Sequence, residues 1–427
     1  MTIVAMILGL FALILVNVPI AVALGVVAAI AMLITQGADS LLNLGIVLFT
    51  GATSFPLIAI PLFILAGAIM NASGISQRMI AFAGALFGFV RGGLAMVTVG
   101  ANMFFAEISG SAVADVAATG SILIPAMKKK GYTPAMAAAV TSSAASLAVI
   151  IPPSIPMILY AAMANTSVVQ LFLAGVVPGV LGGFGLMACS YYLAVRYNLP
   201  REAAFDLCVL WKAFKDAFWA LFLPIIILGG IFGGVVTATE GAALAVVAAL
   251  FIGLVIYREL DVEALGEAIT EGGIQTATVM LLVATSAVLG VYLTEARLPQ
   301  ELAQGVLAVT ENKYMVLLLL NVFFLIIGLF LHSAAAIILV IPVVMPLVQQ
   351  VGIDPVHFGL VVTLNLAIGQ QTPPVASVLV VASAIAKEDI WRVTRVNLWY
   401  ISVLVGVLLL VTYVPAIPLA PVEYFYR

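Results

Sequence analysis

The sequence predicts an all-α polytopic membrane protein made of two inverted repeats, each containing a re-entrant helical hairpin and a helix broken by a Pro-Pro pair. Three observations support this fold class. The 427-residue chain is 64% hydrophobic and 8% charged, with a mean hydropathy of +1.27, which excludes an ordinary soluble domain. Apolar runs long enough to cross about 30 Å of hydrocarbon recur from end to end. A spaced set of prolines and glycines also occurs twice.

The repeat is visible in helix-breaking residues that return after 221 positions. The two copies are Pro125, Gly131, Pro134, Pro152 and Pro153, then Pro346, Gly352, Pro355, Pro373 and Pro374. Matched interruptions in two halves of a membrane protein indicate a transporter's binding site. We therefore predict one membrane unit over 1–427, divided into a first repeat at 53–197, a linker and helix pair at 198–273, and a second repeat at 274–416.

The opening segments differ in polarity. The N-terminal run, Ile3–Thr35, lacks a basic leader region and an Ala-x-Ala cleavage site, so we interpret it as a retained helix. Each repeat then begins with an apolar segment, Phe55–Met70 or Thr276–Leu293. A short amphipathic stretch follows, at Ile75–Val90 or Leu298–Thr310, with too few apolar residues to span a membrane.

The third part of each repeat is a long apolar region with a polar interruption. The first region, 92–130, is broken at Glu107–Ser111, and the second, 314–352, is broken at His332–Ser333. Each half has about 15 to 19 residues, at or below the length that a membrane crossing needs. We therefore predict two re-entrant hairpins whose tips are buried by protein or line a wet cavity.

A Pro-Pro pair interrupts the fourth part of each repeat, in IIPPSIP at 150–156 and QQTPPVA at 370–376. Uninterrupted spans follow at Leu171–Val195 and Val396–Val414. Because proline opens a helix, the two breaks and the two hairpin tips can offer carbonyl oxygens and helix termini to ions and a polar solute. Oxygen ligands of this kind suit an alkali cation, although the nearby hydroxyls could instead satisfy helix contacts. The nearby polar side chains are Ser143, Ser146, Ser154, Gln370, Gln371 and Thr372.

The inter-repeat region consists of a polar linker and two apolar spans, at Arg196–Asp216, Phe218–Gly234 and Gly241–Ile256. The sequence TATE, at 237–240, lies between the two spans. For Glu240 we favour a helix-capping role, because a carboxylate is stabilised at a helix N-terminus. For Gly234 and Thr237, an ion site competes with this structural interpretation.

Charge distribution predicts the topology. The positive-inside rule assigns four charged loops to the cytoplasm: Lys128–Lys130, Arg196–Lys215, Tyr257–Glu263 and Lys387–Arg395. In the second repeat the counterpart of Lys128–Lys130 is Gln349–Asp354, which contains no lysine or arginine. We therefore expect the repeats to be inverted and both chain termini to lie outside.

The first hairpin tip carries the strongest local signal for a site. Ser111 and Asp115 are four residues apart, a spacing that places both on one face of the returning helix. A carboxylate within the membrane is a functional hypothesis by default, although Asp115 could instead cap a helix or bond the backbone. Glu107 has two open interpretations, a residue of the aqueous cavity or a paired structural charge.

The two histidines receive different interpretations. His332 lies 221 residues after Ser111, which predicts a place at the second hairpin tip. A proton relay is one role for it, and a neutral histidine that hydrogen-bonds or contacts substrate is the favoured one. His357 is interpreted as structural.

Several functional classes lack support. The sequence contains no catalytic triad, P-loop or His-Glu-x-x-His motif, so we predict neither an enzyme nor an organic cofactor. It has no basic stripe for nucleic acid. Cys189 and Cys208 have neither metal-ligand spacing nor an apparent disulfide role.

Six motifs, in order along almost the whole chain, resemble the large membrane subunit of tripartite ATP-independent periplasmic (TRAP) transporters, of the DctM-like type. They are SGSAVADVAATG at 109–120, IPAMKKKGY at 124–132, IIPPSIP at 150–156, TATEGAALA at 237–245, GIDPVHFG at 352–359 and NLAIGQQTPP at 365–374. The resemblance implies a multi-pass protein of the bacterial inner membrane. It also implies a small four-helix membrane subunit (DctQ-like) and a periplasmic substrate-binding protein (DctP-like) as partners.

The resemblance further implies an elevator-type ion-transporter fold and coupling to sodium ions. It places one sodium site at Ser109, Ala148, Ile151 and Pro153, and a second at Gly234, Thr237, Gly369, Thr372 and Val375. Substrate contacts are expected from Glu107, Ser111, Asp115 and His332. The predicted function is sodium-driven import of a small organic anion, most simply a carboxylate. The alternative is a stand-alone inverted-repeat antiporter that needs no binding protein.

Overall fold

The computed structural model describes residues 6, 8–10, 12–13, 16, 18–37, 39–109, 111–199, 201 and 204–426, except for the side chains of 41–42 and 107–109. The α-helices of the amino-terminal half are α1 Ile20–Gln36, α2 Ser40–Ala52, α3 Ala59–Ala72, α4 Ile75–Phe87, α5 Gly93–Ser109, α6 Ala112–Lys129, α7 Pro134–Ala145, α8 Ile155–Ala164, α9 Val168–Arg196 and α10 Leu207–Phe232. Those that follow are α11 Ala238–Phe251, α12 Val262–Glu295, α13 Leu298–Leu307, α14 Lys313–Phe330, α15 Ser333–Gln350, α16 Pro355–Gly369, α17 Ser377–Ala386, α18 Ile390–Tyr413 and α19 Ala416–Tyr426.

The membrane character of the chain is confirmed by its helices. Within the described residues, eight helices are long and apolar enough to cross a membrane. They are Phe55–Ala72, Val168–Arg196, Leu207–Phe232, Ala238–Tyr257, Val262–Glu295, Lys313–Phe330, Ser333–Gln350 and Ile390–Tyr413. The amphipathic helices α4 and α13 have 13 and 10 residues and are too short to span.

The predicted hairpins and Pro-Pro breaks are confirmed. Hairpin 1 consists of α5 and α6, and hairpin 2 consists of α14 and α15. The returning helices α6 and α15 begin at Ala112 and Ser333 and end at Lys129 and Gln350, so both ends are separated by 221 residues. The cis peptide bonds Pro152–Pro153 and Pro373–Pro374 have the same separation. Sequence repetition therefore corresponds to repeated local structure.

The helices that precede the breaks start in the same way in both repeats. Thr133 Oγ1 accepts a hydrogen bond from the Met136 amide at 3.2 Å, and Asp354 Oδ1 accepts one from the Val356 amide at 2.8 Å. A proline follows each cap and occupies the first turn of α7 or α16, where its missing amide costs nothing.

Packing between the repeats is reciprocal. Helix α6 of hairpin 1 packs against α17, which follows the second break, and α15 of hairpin 2 packs against α8, which follows the first. In the same way α7 contacts α18, and α16 contacts α9. Exchanged pairs of this kind are what a two-fold relation between repeats produces. Each hairpin is therefore supported by the broken helix of the other repeat.

A second group of helices stands beside this body. Helix α12 packs against α1, α2 and α3, α11 packs against α3, and α10 packs against α4. We call α1–α4 and α10–α12 the scaffold group. It contacts the hairpins through α3 and α4 on α5, and through α12 on α15.

Three predicted boundaries were wrong. Val18 and Pro19 interrupt the N-terminal run, and α1 begins at Ile20, because proline cannot continue a preceding helix. The predicted linker Arg196–Asp216 already contains the start of α10, which Asp206 caps by accepting from the Cys208 amide at 2.8 Å. Helix α12 begins at Val262, twelve residues before the predicted start of the second repeat at 274. The change from polar to apolar residues predicts where a helix enters the membrane, whereas the capping residue determines where the helix begins.

The inverted orientation predicts opposite labelling of two corresponding positions. Lys129 and Gln350 are both exposed at the ends of α6 and α15. In a background without Cys189 and Cys208, a cysteine at 129 should be protected from an impermeant thiol reagent in intact cells, because three lysines favour the cytoplasm. A cysteine at 350 should react. Labelling of both from one face would show a parallel duplication instead.

Candidate functional site

A cavity of about 980 Å³ lies where the two hairpin tips face the scaffold group. Ser111 and Ala112 line it from hairpin 1, and His332 and Ser333 line it from hairpin 2. Gln370, at the second break, completes the wall on this side. The structure therefore brings together one residue from each predicted tip, Ser111 and His332, in a single space.

The opposite wall belongs to the scaffold group and carries several polar side chains among apolar ones. Ser76 Oγ donates to Asn71 Oδ1 at 2.6 Å, and Gln275 Nε2 lies 3.4 Å from Glu271 Oε1. Gln77 lines the same wall. Among the described residues of the lining there is no lysine or arginine. An anion in this cavity must therefore be stabilised by neutral donors, helix N-termini or a bound cation.

The first break leaves backbone carbonyl oxygens without the partners that a continuous helix provides. Helix α7 ends in a 3₁₀ turn, Ser146–Val149, which contains Ala148. The carbonyls of Ile151, Pro152 and Pro153 accept no hydrogen bond from the described part of the chain. All three residues are buried. Because an unpaired buried carbonyl is costly, these oxygens fit a cation ligand set.

The second break repeats this arrangement in a more open setting. The carbonyls of Thr372, Pro373 and Pro374, each 221 residues after one of the first set, likewise accept no hydrogen bond from the described residues. Thr372 Oγ1 donates to the Ile368 carbonyl at 3.0 Å. The Val375 amide donates to Leu329 O at 3.3 Å, which ties the break to hairpin 2.

Hairpin 2 approaches the second broken helix through two glycines. A Cβ atom at Gly369 would lie 2.5 Å from the Cα of Gly328, a distance that no side chain tolerates. The corresponding atom at Gly328 would lie 3.1 Å from the Cα of Gly369. Glycine at both positions therefore permits the two backbones to touch.

A buried polar cluster joins the repeats behind the cavity. Ser143 Oγ lies 2.6 Å from Gln371 Oε1 and 2.8 Å from Asn397 Oδ1, and all three residues are fully buried. A hydroxyl has one proton, so Ser143 can donate to only one of the two amide oxygens at a time. This cluster connects α7 of the first repeat with the break and the last span of the second.

Two further side chains have structural roles, as predicted. Thr237 and Glu240 form a reciprocal capping box at the start of α11, with the Glu240 amide 3.2 Å from Thr237 Oγ1. His357 is fully buried, and its Nε2 lies 2.8 Å from the Val411 carbonyl. Neither Glu240 nor His357 lines the cavity.

The roles predicted for Asp115 and Thr237 stay predictions, although neither residue lines the cavity. Asp115 is 1% exposed and is not in the cavity lining with Ser111, the extended N-cap residue four positions earlier. Thr237 is occupied in its capping box, and no hydrogen bond between described residues joins 234–237 to 369–375. Gly369 and Val375 instead contact Gly328 and Leu329 of hairpin 2. The side chains of Glu107 and Ser109 lie outside the described part of the chain.

The scaffold wall was missed by the sequence argument. Glu271 falls in the inter-repeat region 198–273, and Gln275 comes just before the apolar segment Thr276–Leu293. The continuous helix α12 carries both to the cavity wall. Their spacing of four residues, at the polar end of an apolar run, was the available signal. The sequence signal for Gly328 is weaker: it is the sole glycine of α14.

The chemistry of the site favours an alkali cation over a transition metal. Within the described residues, no group of three histidine, cysteine, aspartate or glutamate side chains could hold a metal. The oxygens at the breaks are carbonyls, with the hydroxyl of Thr372 beside them. Hard, neutral oxygen ligands of this kind match sodium or a similar ion.

Comparison with known proteins gives consistent results. A relative from Pseudomonas aeruginosa, the C4-dicarboxylate TRAP transporter large permease protein DctM, is 40% identical over 397 residues. The alignment covers 93% of this chain and 93% of the relative. An isethionate TRAP transporter permease protein, DctMQ of Oleidesulfovibrio alaskensis, is 43% identical over 413 residues. The alignment covers 96% of this chain and 65% of that longer protein. The sialic acid permease SiaM of Vibrio cholerae is 37% identical, with 88% of each chain covered.

The fold is shared with a more distant transporter. The crystal structure of YdaH from Alcanivorax borkumensis matches with a TM-score of 0.66 at 16% identity, covering 89% of both chains. The family model of the DctM component of tripartite ATP-independent periplasmic transporters matches residues 7–417. This chain therefore belongs to the DctM family, as a multi-span large permease of a TRAP transporter in the bacterial inner membrane.

Proposed function

We propose that the chain imports a small organic anion, most simply a carboxylate, in symport with sodium. The observation that carries this proposal is the pairing of two oxygen-rich breaks with a cavity whose described lining contains no lysine or arginine. Without a lysine or arginine in the described lining, an anion needs stabilisation from neutral donors, helix N-termini or a bound cation. Sodium ions at the breaks would supply it, and transport of anion and cation would then be coupled.

The relatives support the substrate class. They are named for C4-dicarboxylate, isethionate and sialic acid, all small organic anions. In this proposal a periplasmic binding protein delivers the substrate, and a small membrane subunit accompanies the permease. The fusion implied by the name DctMQ is consistent with such a second membrane component.

The shape of the cavity supports an inward-facing state. On hairpin 1 its lining extends along α6 from Ser111 through Ala114 and Ala118 to Ile122, towards the lysines at the end of the helix. On hairpin 2 it reaches only the tip, His332 to Ala335. With Lys128–Lys130 assigned to the cytoplasm, the cavity opens inward. An elevator motion that moves the hairpins along the scaffold group would expose the same tips outward.

Uptake by the reconstituted transporter tests the proposal. Substrate should accumulate in proteoliposomes when an inward sodium gradient and the cognate binding protein are both present. Equal uptake in sodium-free buffer with only a proton gradient would contradict sodium coupling. Uptake that persists without any binding protein would favour a stand-alone antiporter.

The Thr372 hydroxyl provides a local test of the second sodium site. Thr372→Val should raise the sodium concentration for half-maximal uptake, because loss of one polar contact costs about 1–3 kcal/mol, or roughly five- to more than a hundredfold in affinity. Thr363→Val is the matched control, since the Thr363 hydroxyl also bonds a carbonyl four residues earlier, Gly359 O at 3.0 Å, but lies away from the break. The same shift in both variants would place the ion elsewhere.

His332 provides the matching test for substrate. His332→Ala should raise the KM for substrate roughly two- to tenfold, the effect of one lost hydrogen bond, while the sodium dependence stays unchanged. His332→Gln retains a donor and an acceptor and should recover most of the affinity. A change in sodium dependence without a change in KM would assign His332 to the ion instead.

A further inference from the structure

A second large cavity, of about 1280 Å³, lies outside the transport site, between α4 and α10. Its floor consists of small residues of α4, among them Ala81, Gly84 and Ala85. A Cβ atom at Gly84 would meet nothing within 4 Å, so the space above this helix is open. We call this space the α4–α10 groove.

One end of the groove is closed by a fixed charge pair. Arg78 donates twice to Glu259, at 2.7 and 2.9 Å, and its guanidinium lies 3.9 Å from the centre of the Tyr257 ring. The hydrogen bond from Arg78 lowers the pKa of Glu259, which keeps the pair ionised. The Tyr257 hydroxyl then donates to the Asp216 carbonyl at 3.0 Å, which connects this end to α10.

The lining of the groove is neutral overall, since Arg78, Lys212 and Lys215 balance Asp206, Asp216 and Glu259, but of these cations only Arg78 is held in an ion pair between described residues. Asp206 is committed to capping α10, and Glu259 is paired with Arg78. This leaves two lysines, Lys212 and Lys215, and one carboxylate, Asp216, along the wall. The wall therefore offers two ammonium groups, which attract a phosphate.

The other features of the groove match a lipid at the membrane surface. Trp219 and Phe89 add apolar and aromatic area to the lining. Trp211 stacks with Phe214, with ring centres 5.6 Å apart, and aromatic residues of this kind are enriched at membrane–water interfaces. The charged end belongs to loops that the positive-inside rule assigns to the cytoplasm, where basic pockets between helices bind anionic headgroups.

We propose that the α4–α10 groove binds one anionic phospholipid of the cytoplasmic leaflet. Its phosphate lies between Lys212 and Lys215, and an acyl chain lies along Ala81, Gly84 and Ala85. Phosphatidylglycerol has the required chemistry, with one negative phosphodiester and two apolar chains. The bound lipid fills space between the scaffold helices and does not take part in sodium or substrate binding.

The test uses the full chain, purified in detergent and stripped of lipid, with phosphatidylglycerol added and bound lipid counted by native mass spectrometry. The double variant Lys212→Ala/Lys215→Ala should bind phosphatidylglycerol roughly thirtyfold more weakly, from the loss of two lysines at the membrane surface. The control Lys129→Ala/Lys130→Ala removes two exposed cytoplasmic lysines outside the groove and should bind normally. Equal affinity of the two double variants would overturn the proposal.

Three further arms identify the occupant. Gly84→Leu should block the acyl chain and reduce binding while Lys212 and Lys215 remain, and unchanged binding would overturn the placement of the chain.

Phosphatidylcholine should bind more weakly than phosphatidylglycerol, and full competition by inorganic phosphate would show a free-phosphate site instead. Lipid binding that is lost when the small membrane subunit is co-purified would assign the groove to that subunit. None of these measurements depends on transport, so they stay separate from the test of sodium coupling.

Discussion

The need to satisfy backbone polar groups within the membrane governs this structure. A continuous helix meets that need by itself, but a Pro-Pro pair cannot, and the carbonyls of Ile151–Pro153 and Thr372–Pro374 remain without protein donors in the described chain. Everything around them limits this cost. Each hairpin packs on the broken helix of the other repeat, Gly328 and Gly369 allow their backbones to touch, and Ser143 links the two repeats.

Features that depend on local chemistry were predictable from the sequence. Pro152 and Pro373 fixed the breaks, the polar residues at 107–111 and 332–333 fixed the hairpin tips, and the TATE sequence identified the cap of α11. In each case one residue type changes the backbone wherever it occurs, so spacing along the chain is sufficient. The membrane class followed from composition alone.

Features that depend on tertiary contacts were not predictable in this way. Nothing in the sequence shows that Gly369 faces Gly328, because that contact joins segments whose separation only the packing determines. The four-residue spacing of Ser111 and Asp115 likewise did not show that only Ser111 lines the cavity, because that depends on how α6 packs. Glu271 was not predicted because a charged residue beside an apolar run is typical of a loop. Asp261 instead caps a helix that begins before Glu271 and contains it.

The length of α12 has a consequence for water. The stripe that this helix presents to the cavity runs Glu271, Ile274, Gln275, Thr278, Val279 and Leu282, so its polarity falls from a carboxylate to aliphatic side chains over about 16 Å. This surface of α12 is thus hydrophilic at the Glu271 end and hydrophobic at the Leu282 end. Under the proposed elevator motion, a hairpin tip travelling along this gradient towards Leu282 would shed its hydration stepwise. The side chains of α12, which would not move, would then remove the water that must leave before a solute is occluded. The moving hairpins would need no separate lid.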